Sequence, residues 1–164
     1  MNIDDIDLFG DGDRDARREA RLRQLGTREP RCTRPDCTET NPFALTGAEP
    51  SIVCYECQAT KRGRAFHEVH HTSGRDNDAE TVGVPGNDHR VLSAEQQLWP
   101  ADTLRNPDGS PLLRAAAALR GWLDVLRLIL DRTVGWIPLF LEQLDAWLRE
   151  RIGPCWWGEF AQWS

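Results

Sequence analysis

Two close cysteine pairs, Cys32-x4-Cys37 and Cys54-x2-Cys57, separated by sixteen residues, constrain this chain more tightly than any other feature. From Arg31 to Arg62 the sequence is rich in Pro, Thr and Gly and short of helical periodicity, so it lacks the apolar stripe from which a core is built. A metal ion supplies the missing organisation. Each close pair offers two thiolates to one tetrahedral ion, and the intervening segment folds back to bring the pairs together. The spacing therefore predicts one structural zinc held by Cys32, Cys37, Cys54 and Cys57. A site closed by four thiolates does no chemistry, so this cluster accounts for folding and an activity must be sought elsewhere. Cys155, beside Trp156 and Trp157, has no partner in sequence and reads as a buried thiol.

The arrangement of the four cysteines is that of a two-knuckle zinc ribbon. The chain around it has 164 residues, 40% of them apolar and seven of them tryptophan, which is enough to bury a core. A net charge of -6 argues against non-specific coating of nucleic acid, because such binding needs many cations on phosphates, but it leaves room for a local basic groove. Of the twenty basic residues only Lys61 is a lysine. The acidic start, Met1 to Gly10, lacks the basic and apolar regions of an export signal and reads as loosely attached. The most apolar stretch, Leu119 to Leu148, is broken by Arg120, Asp124, Arg127, Asp131, Arg132, Glu142 and Asp145, so no membrane span is expected. A cytoplasmic location follows as the expectation, and there close cysteines hold metal rather than form disulfides.

All four histidines, His67, His70, His71 and His89, fall within 23 positions just after the cysteines. Arg64 to His71 alternates like a strand, a glycine-containing loop (Gly74-Arg75-Asp76-Asn77) follows, Glu80 to Val84 offers a second strand, and a helix begins around Asn87 to Arg90. Adjacent residues on a straight strand point to opposite faces, so His70 and His71 share a site only if the chain bends right after them; Gly74 provides for such a bend. Glu68 lies on the His70 face and is expected to orient that imidazole. His67 reads as a surface residue.

Glu68-Val69-His70-His71, the glycine loop, a second strand and His89 at a helix start together resemble the HNH, or ββα-metal, nuclease family over roughly residues 64 to 92. The resemblance implies that His70 and His89 hold a catalytic divalent ion, Mg2+ or another, and that His71 is the general base in hydrolysis of DNA. Arg75, in the loop after His71, and Arg90, next to His89, become candidate phosphate contacts. About eight or nine residues before its last His the family has an Asn that pins the loop carrying the base. This chain has Glu80 and Thr81 there, so that place passes to Thr81, whose hydroxyl supplies one hydrogen bond rather than an amide's donor and acceptor together.

Beyond the histidines, residues 91 to 108 read as a connector with turn signals at Trp99-Pro100, Asn106-Pro107 and Asp108-Gly109. Ser110-Pro111 then caps a helix with a continuous apolar stripe that includes Leu112, Leu119, Trp122, Leu126 and Ile129, while Arg120/Asp124 and Arg127/Asp131 mark its solvent face. A second helix, about Pro138 to Arg151, carries Phe140, Leu141, Leu144, Trp147 and Leu148, and the two stripes are expected to pack on each other. The predicted fold class is α+β. It comprises a charged segment with a short helix (1–30), a zinc ribbon with an HNH-like ββα-metal module (31–92), a connector (93–109), and a C-terminal helical hairpin with a Trp-rich tail (110–164). Two functions fit this organisation: a metal-dependent endonuclease with DNA as partner, or a non-catalytic zinc-ribbon adaptor binding nucleic acid or protein. In either case the C-terminal helices are candidates for homodimerisation or for docking a protein partner.

Overall fold

Helix α1 (Asp11–Leu25) forms where the sequence places a short, charged helix, and it buries Leu22 and Leu25. Gly26 ends it in the left-handed region, its N–H returning to the Leu22 carbonyl. The computed structural model describes residues 11–159; the acidic start expected to be loosely attached, and the last five residues of the Trp-rich tail, lie outside the described residues. Leu25 is fully buried against the cysteine-bearing segment, where Cys32, Leu45, Ile52 and Cys54 complete a small core. Strands β1 (Leu45–Thr46) and β2 (Val53–Cys54) pair antiparallel there, with Leu45 opposite Cys54. The region is not free of helix, as its composition had suggested. Helix α2 (Tyr55–Lys61) grows directly from the second cysteine pair, because Cys54 occupies the N-cap and its sulfur accepts the Cys57 N–H.

A second antiparallel pair follows, β3 (His67–His71) with β4 (Thr81–Pro85), and helix α3 (Gly86–Gln96) packs against both strands. The register sets His70 opposite Val82 and His71 opposite Thr81. The described fold is thus mixed α+β, with two small two-stranded sheets followed by helices. The stretch read as a connector is more ordered than its turn signals suggested: α3 runs through Gln96, and a short helix α4 (Ala101–Arg105) follows Pro100. Trp99, between them, is buried and donates its indole N–H to Asp124 at 2.9 Å.

Helix α5 (Pro111–Thr133) starts at the predicted cap, with the Leu113 N–H directed to the Ser110 hydroxyl. Its buried face is the opposite of the expected one. Ala117, Gly121, Asp124 and Val125 are inside, whereas Leu112, Leu119, Trp122, Leu123 and Leu126 are exposed. Asp124 therefore does not belong to a solvent face with Arg120; it accepts from Trp99 and lies 3.6 Å from Arg14. The reason is steric. A Cβ placed on Gly121 would stand 1.8 Å from the Thr72 carbonyl oxygen, so the helix backbone lies directly on the loop after β3, and a leucine-bearing face could not approach so closely.

The chain divides into two compact units, Met1–Leu126 and Arg127–Ser164. The second contains helix α6 (Ile137–Arg151) and a short 3-10 turn (Trp156–Glu159), tied together by the Trp156 indole N–H on Asp145 at 2.8 Å. Trp122, Leu126, Ile129, Leu141 and Leu144, expected to be buried, are between 36% and 55% exposed. Cys155, expected to be buried, is also exposed. Among the described residues no helix is long and apolar enough to cross a membrane.

Gly121→Ala tests the inverted helix face. Helix propensity alone would make the change stabilising by ~1 kcal/mol, but a backbone carbonyl cannot move aside as a flexible side chain can. We expect a net loss of about 1–3 kcal/mol, read as a fall of several degrees in melting temperature. A rise in melting temperature would mean that α5 does not lie on the Thr72 loop.

Candidate functional site

Two candidate centres lie in the first unit, and one hydrogen-bonded side chain joins them. In the first, the sulfurs of Cys32, Cys37, Cys54 and Cys57 are all within 4.8 Å of one another. Thiolates ~2.3 Å from a tetrahedral zinc stand about 3.8 Å apart, and the Cys37 and Cys54 sulfurs are 3.6 Å apart. Backbone amides point inward as well: the Cys54 N–H donates to the Cys32 sulfur and the Cys57 N–H to the Cys54 sulfur, each at 3.3 Å. Burial and the neighbouring thiols push Cys57 far up, and burial also raises Cys37. Burial would raise Cys32 too, but amide bonds from Arg34 and Cys54, with help from the Cys37 and Cys57 thiols, leave it lowered. Four thiols this close ionise together only around a cation, which is the donor set and spacing that a structural zinc needs.

The link to the second centre is Asn87, buried in the first turn of α3. Its N–H donates to the Glu56 carboxylate, its side-chain carbonyl accepts the Glu56 N–H, and its amide reaches Glu39. Glu39 in turn accepts the Thr40 and Asn41 N–H groups beside the first cysteine pair. The helix that carries His89 is therefore clamped to the cysteine-bearing segment by reciprocal bonds.

At the second centre, His70 from β3 and His89 from α3 meet edge to face with ring centroids 5.3 Å apart. His70 is only 3% exposed, and burial, followed by the neighbouring His89 and His71, pushes its imidazole down to about 4. It is thus neutral near pH 7, the state in which an imidazole can donate a lone pair to a metal. Burial lowers His89 as well; Glu68 opposes that shift, and Arg90 and Arg75 reinforce it. Glu68 does not orient His70, as its place on the strand had suggested. Its carboxylate lies 2.8 Å from His89 Nδ1, a close charge contact not aligned as a hydrogen bond, and it also accepts the Tyr55 hydroxyl. A carboxylate on Nδ1 leaves Nε2 of His89 as the nitrogen for a metal.

His71 ends β3 and precedes a tight turn in which the Gly74 N–H returns to the His71 carbonyl, with Gly74 at φ 78°. The bend expected from Gly74 is present. His71 is half-buried, and its Nδ1 is buried without a hydrogen-bond partner. Thr81, across the ladder from His71, is exposed. An amide does pin the loop, but it belongs to Asn77: buried, it donates to the carbonyls of Ser73, Thr103 and Leu104. Gln96 adds bonds to the His71 and Thr72 carbonyls. Arg75 is exposed in the loop, and Arg90 stacks on the Tyr55 ring at 4.1 Å and lies 3.8 Å from Glu68. Tyr55, Asn77 and Gln96 escaped the sequence reading because each reaches its partner across 13 or more residues or through a backbone carbonyl. The one local signal was that Asn77 closes the glycine loop. His67, read as a surface residue, is exposed.

Purified protein should contain one tightly held zinc per chain by elemental analysis, and Cys57→Ser should lose it. Because zinc binding of this kind contributes roughly 10–16 kcal/mol to the folding of a small metal-organised segment, the variant should also show protease cutting between residues 31 and 62. Retention of zinc and of protease resistance in Cys57→Ser would remove the four-thiolate site. Comparison with family models, with curated proteins and with solved structures returned no match.

Proposed function

We propose that this protein is a metal-dependent endonuclease of the HNH, or ββα-metal, kind, which hydrolyses phosphodiester bonds in DNA. The observation that carries the reading is the meeting of His70 and His89, one from a strand and one from the following helix, at 5.3 Å between ring centroids, with His71 next in sequence at the bend. The cysteine cluster serves as the structural zinc site that steadies the helix bearing His89.

A phosphodiester resists hydrolysis because water is a weak nucleophile and the departing 3′ oxygen is a poor leaving group. His71 takes the proton of the attacking water, whose oxygen forms the new bond to phosphorus as the bond to the 3′ oxygen breaks. A divalent ion on His70 and His89 would offset charge on the phosphate and the departing oxygen. Two imidazoles suit Zn2+ or Ni2+ more than Mg2+ or Mn2+, which prefer oxygen donors. Glu68 lies against the His89 ring, Asn77 and Gln96 hold the loop behind His71, and Arg75 and Arg90 would meet phosphate oxygens. In this reading Asn77, rather than Thr81, takes the loop-pinning role.

The second reading is a non-catalytic zinc-ribbon adaptor, favoured by one observation: Nδ1 of His71 is buried rather than open to solvent. The exposed apolar side chains of α5 and α6 support docking of a protein partner or a second copy in either reading.

His71→Ala separates the two. With plasmid DNA and Mg2+, Mn2+ or Ni2+, the wild type should nick or linearise and the variant should lose at least about 100-fold in rate, as removal of a general base does, with zinc content and melting temperature unchanged. His89→Ala should lose both cleavage and binding of the second metal. Absence of cleavage by the zinc-replete wild type with every ion leaves the adaptor reading.

A further inference from the structure

Arg14, Arg17 and Arg21 all lie on α1, yet they are treated differently. Arg14 is neutralised: its guanidinium is 2.6 Å from Glu95 and 3.6 Å from Asp124. Arg17 and Arg21 are held just as firmly, but by neutral acceptors. Arg17 donates to the Ala94 carbonyl and the Gln97 side chain, and Arg21 to the Pro42 and Leu45 carbonyls and the Gln24 side chain. Among the described residues neither is paired with a carboxylate, although the chain has 26 acidic residues against 20 basic ones. Fixed guanidinium groups with uncompensated charge are ready to receive an anion: their side-chain entropy is already spent, and carbonyl partners leave the positive field intact.

Between α1 and α3 these two arginines line a hollow of about 360 Å³ together with Phe43, Arg90 and Gln97. A second hollow of about 240 Å³ shares Arg21, Phe43 and Arg90 and extends to Tyr55. No acidic side chain lines either one. Tyr55 links the second hollow to the histidine centre, because its hydroxyl donates to Glu68, which contacts His89. The groove therefore offers the charge of Arg17 and Arg21, Arg90 shared with Glu68 at 3.8 Å, and aromatic side chains at Phe43 and Tyr55.

We propose that the groove between α1 and α3, charged by Arg17 and Arg21, binds the phosphate backbone of DNA and leads it to the His70, His71 and His89 centre. The direction of travel rests on the nuclease reading; the binding of a polyanion in the groove does not.

The test is fluorescence anisotropy of a labelled DNA duplex of about 20 base pairs, titrated with zinc-replete full-length protein without added divalent ion, between roughly 50 and 200 mM salt. Arg17→Ala/Arg21→Ala should bind at least about tenfold more weakly than wild type and lower the salt slope by about 2, one for each lost phosphate contact. Arg17→Lys/Arg21→Lys, which keeps the charge but not the fork of hydrogen bonds, should retain most of the binding. Arg18→Ala/Arg23→Ala, the same charge change at two exposed positions of α1, should stay within about twofold of wild type. Should the alanine pair fail to fold by circular dichroism, Arg17→Gln/Arg21→Gln decides: a folded glutamine pair that loses binding supports the groove, and one that binds like wild type overturns it. The proposal is also overturned if a folded alanine pair binds like wild type, if wild type does not bind at the lowest salt, or if inorganic phosphate at constant ionic strength displaces the duplex, which would mark a single-phosphate site. Binding that depends on the groove in a protein that never cleaves leaves this proposal standing and removes the nuclease reading. Cleavage that is unchanged in the alanine pair does the reverse.

Discussion

Four thiol groups packed within 4.8 Å of one another cannot ionise side by side without a cation among them, and the rest of the first unit is arranged around that demand. The cysteine-bearing segment has little apolar core of its own; Leu25 from α1 and the pairing of Leu45 with Cys54 cover one side of the cluster, and Cys54 starts α2 by capping it with its sulfur. What the cluster organises, Asn87 passes on. Through Glu56 and Glu39 it joins both cysteine pairs to the first turn of α3, two residues before His89. An ion bound by the thiolates thus sets where one of the two facing imidazoles stands, without contributing to chemistry itself.

The second dependence runs through the loop after β3. Its turn is closed by Gly74, its middle is held by the Asn77 amide, its start by Gln96, and its outer side by the backbone of α5 at Gly121. Each of these is a contact to a backbone carbonyl, so the loop is positioned by main-chain geometry more than by side-chain shape. The arrangement explains why α5 turns Ala117 and Gly121 inward and leaves Leu112, Leu119, Leu123 and Leu126 exposed. Close approach at Gly121 and the bond of buried Trp99 to buried Asp124, with Arg14 beside it, outweigh the transfer of large apolar side chains, which would hold the helix several ångströms further out.

The candidate centre combines two facing imidazoles, both shifted downward by burial, with a carboxylate close to one of them. The proposed hydrolysis would use both features, because a protonated imidazole would repel a metal and an unoriented one would hold it loosely. The arginines on α1 extend the chemistry away from the centre. Their carbonyl partners hold them without cancelling their charge, which is how an acidic chain would accommodate the proposed recognition of a polyanion.

Local spacing in the sequence determined the convergence of Cys32, Cys37, Cys54 and Cys57, two strands read at 64–71 and 80–84 and formed at 67–71 and 81–85, the bend at Gly74, the start of α3 before His89, and the cap of α5. All of these are decided within a few residues, by ligand geometry, strand alternation and turn chemistry. Only the tertiary structure decided which face of α5 is buried, that Glu68 serves His89 rather than His70, that Asn77 rather than Thr81 holds the loop, that Cys155 is exposed, and that Arg17 and Arg21 meet carbonyls where Arg14 meets acids. Periodicity can show that a helix has two faces, and composition can count charges. Which face is buried and which charge is cancelled depend on what stands opposite, and those partners lie from 13 to more than 100 residues away along the chain.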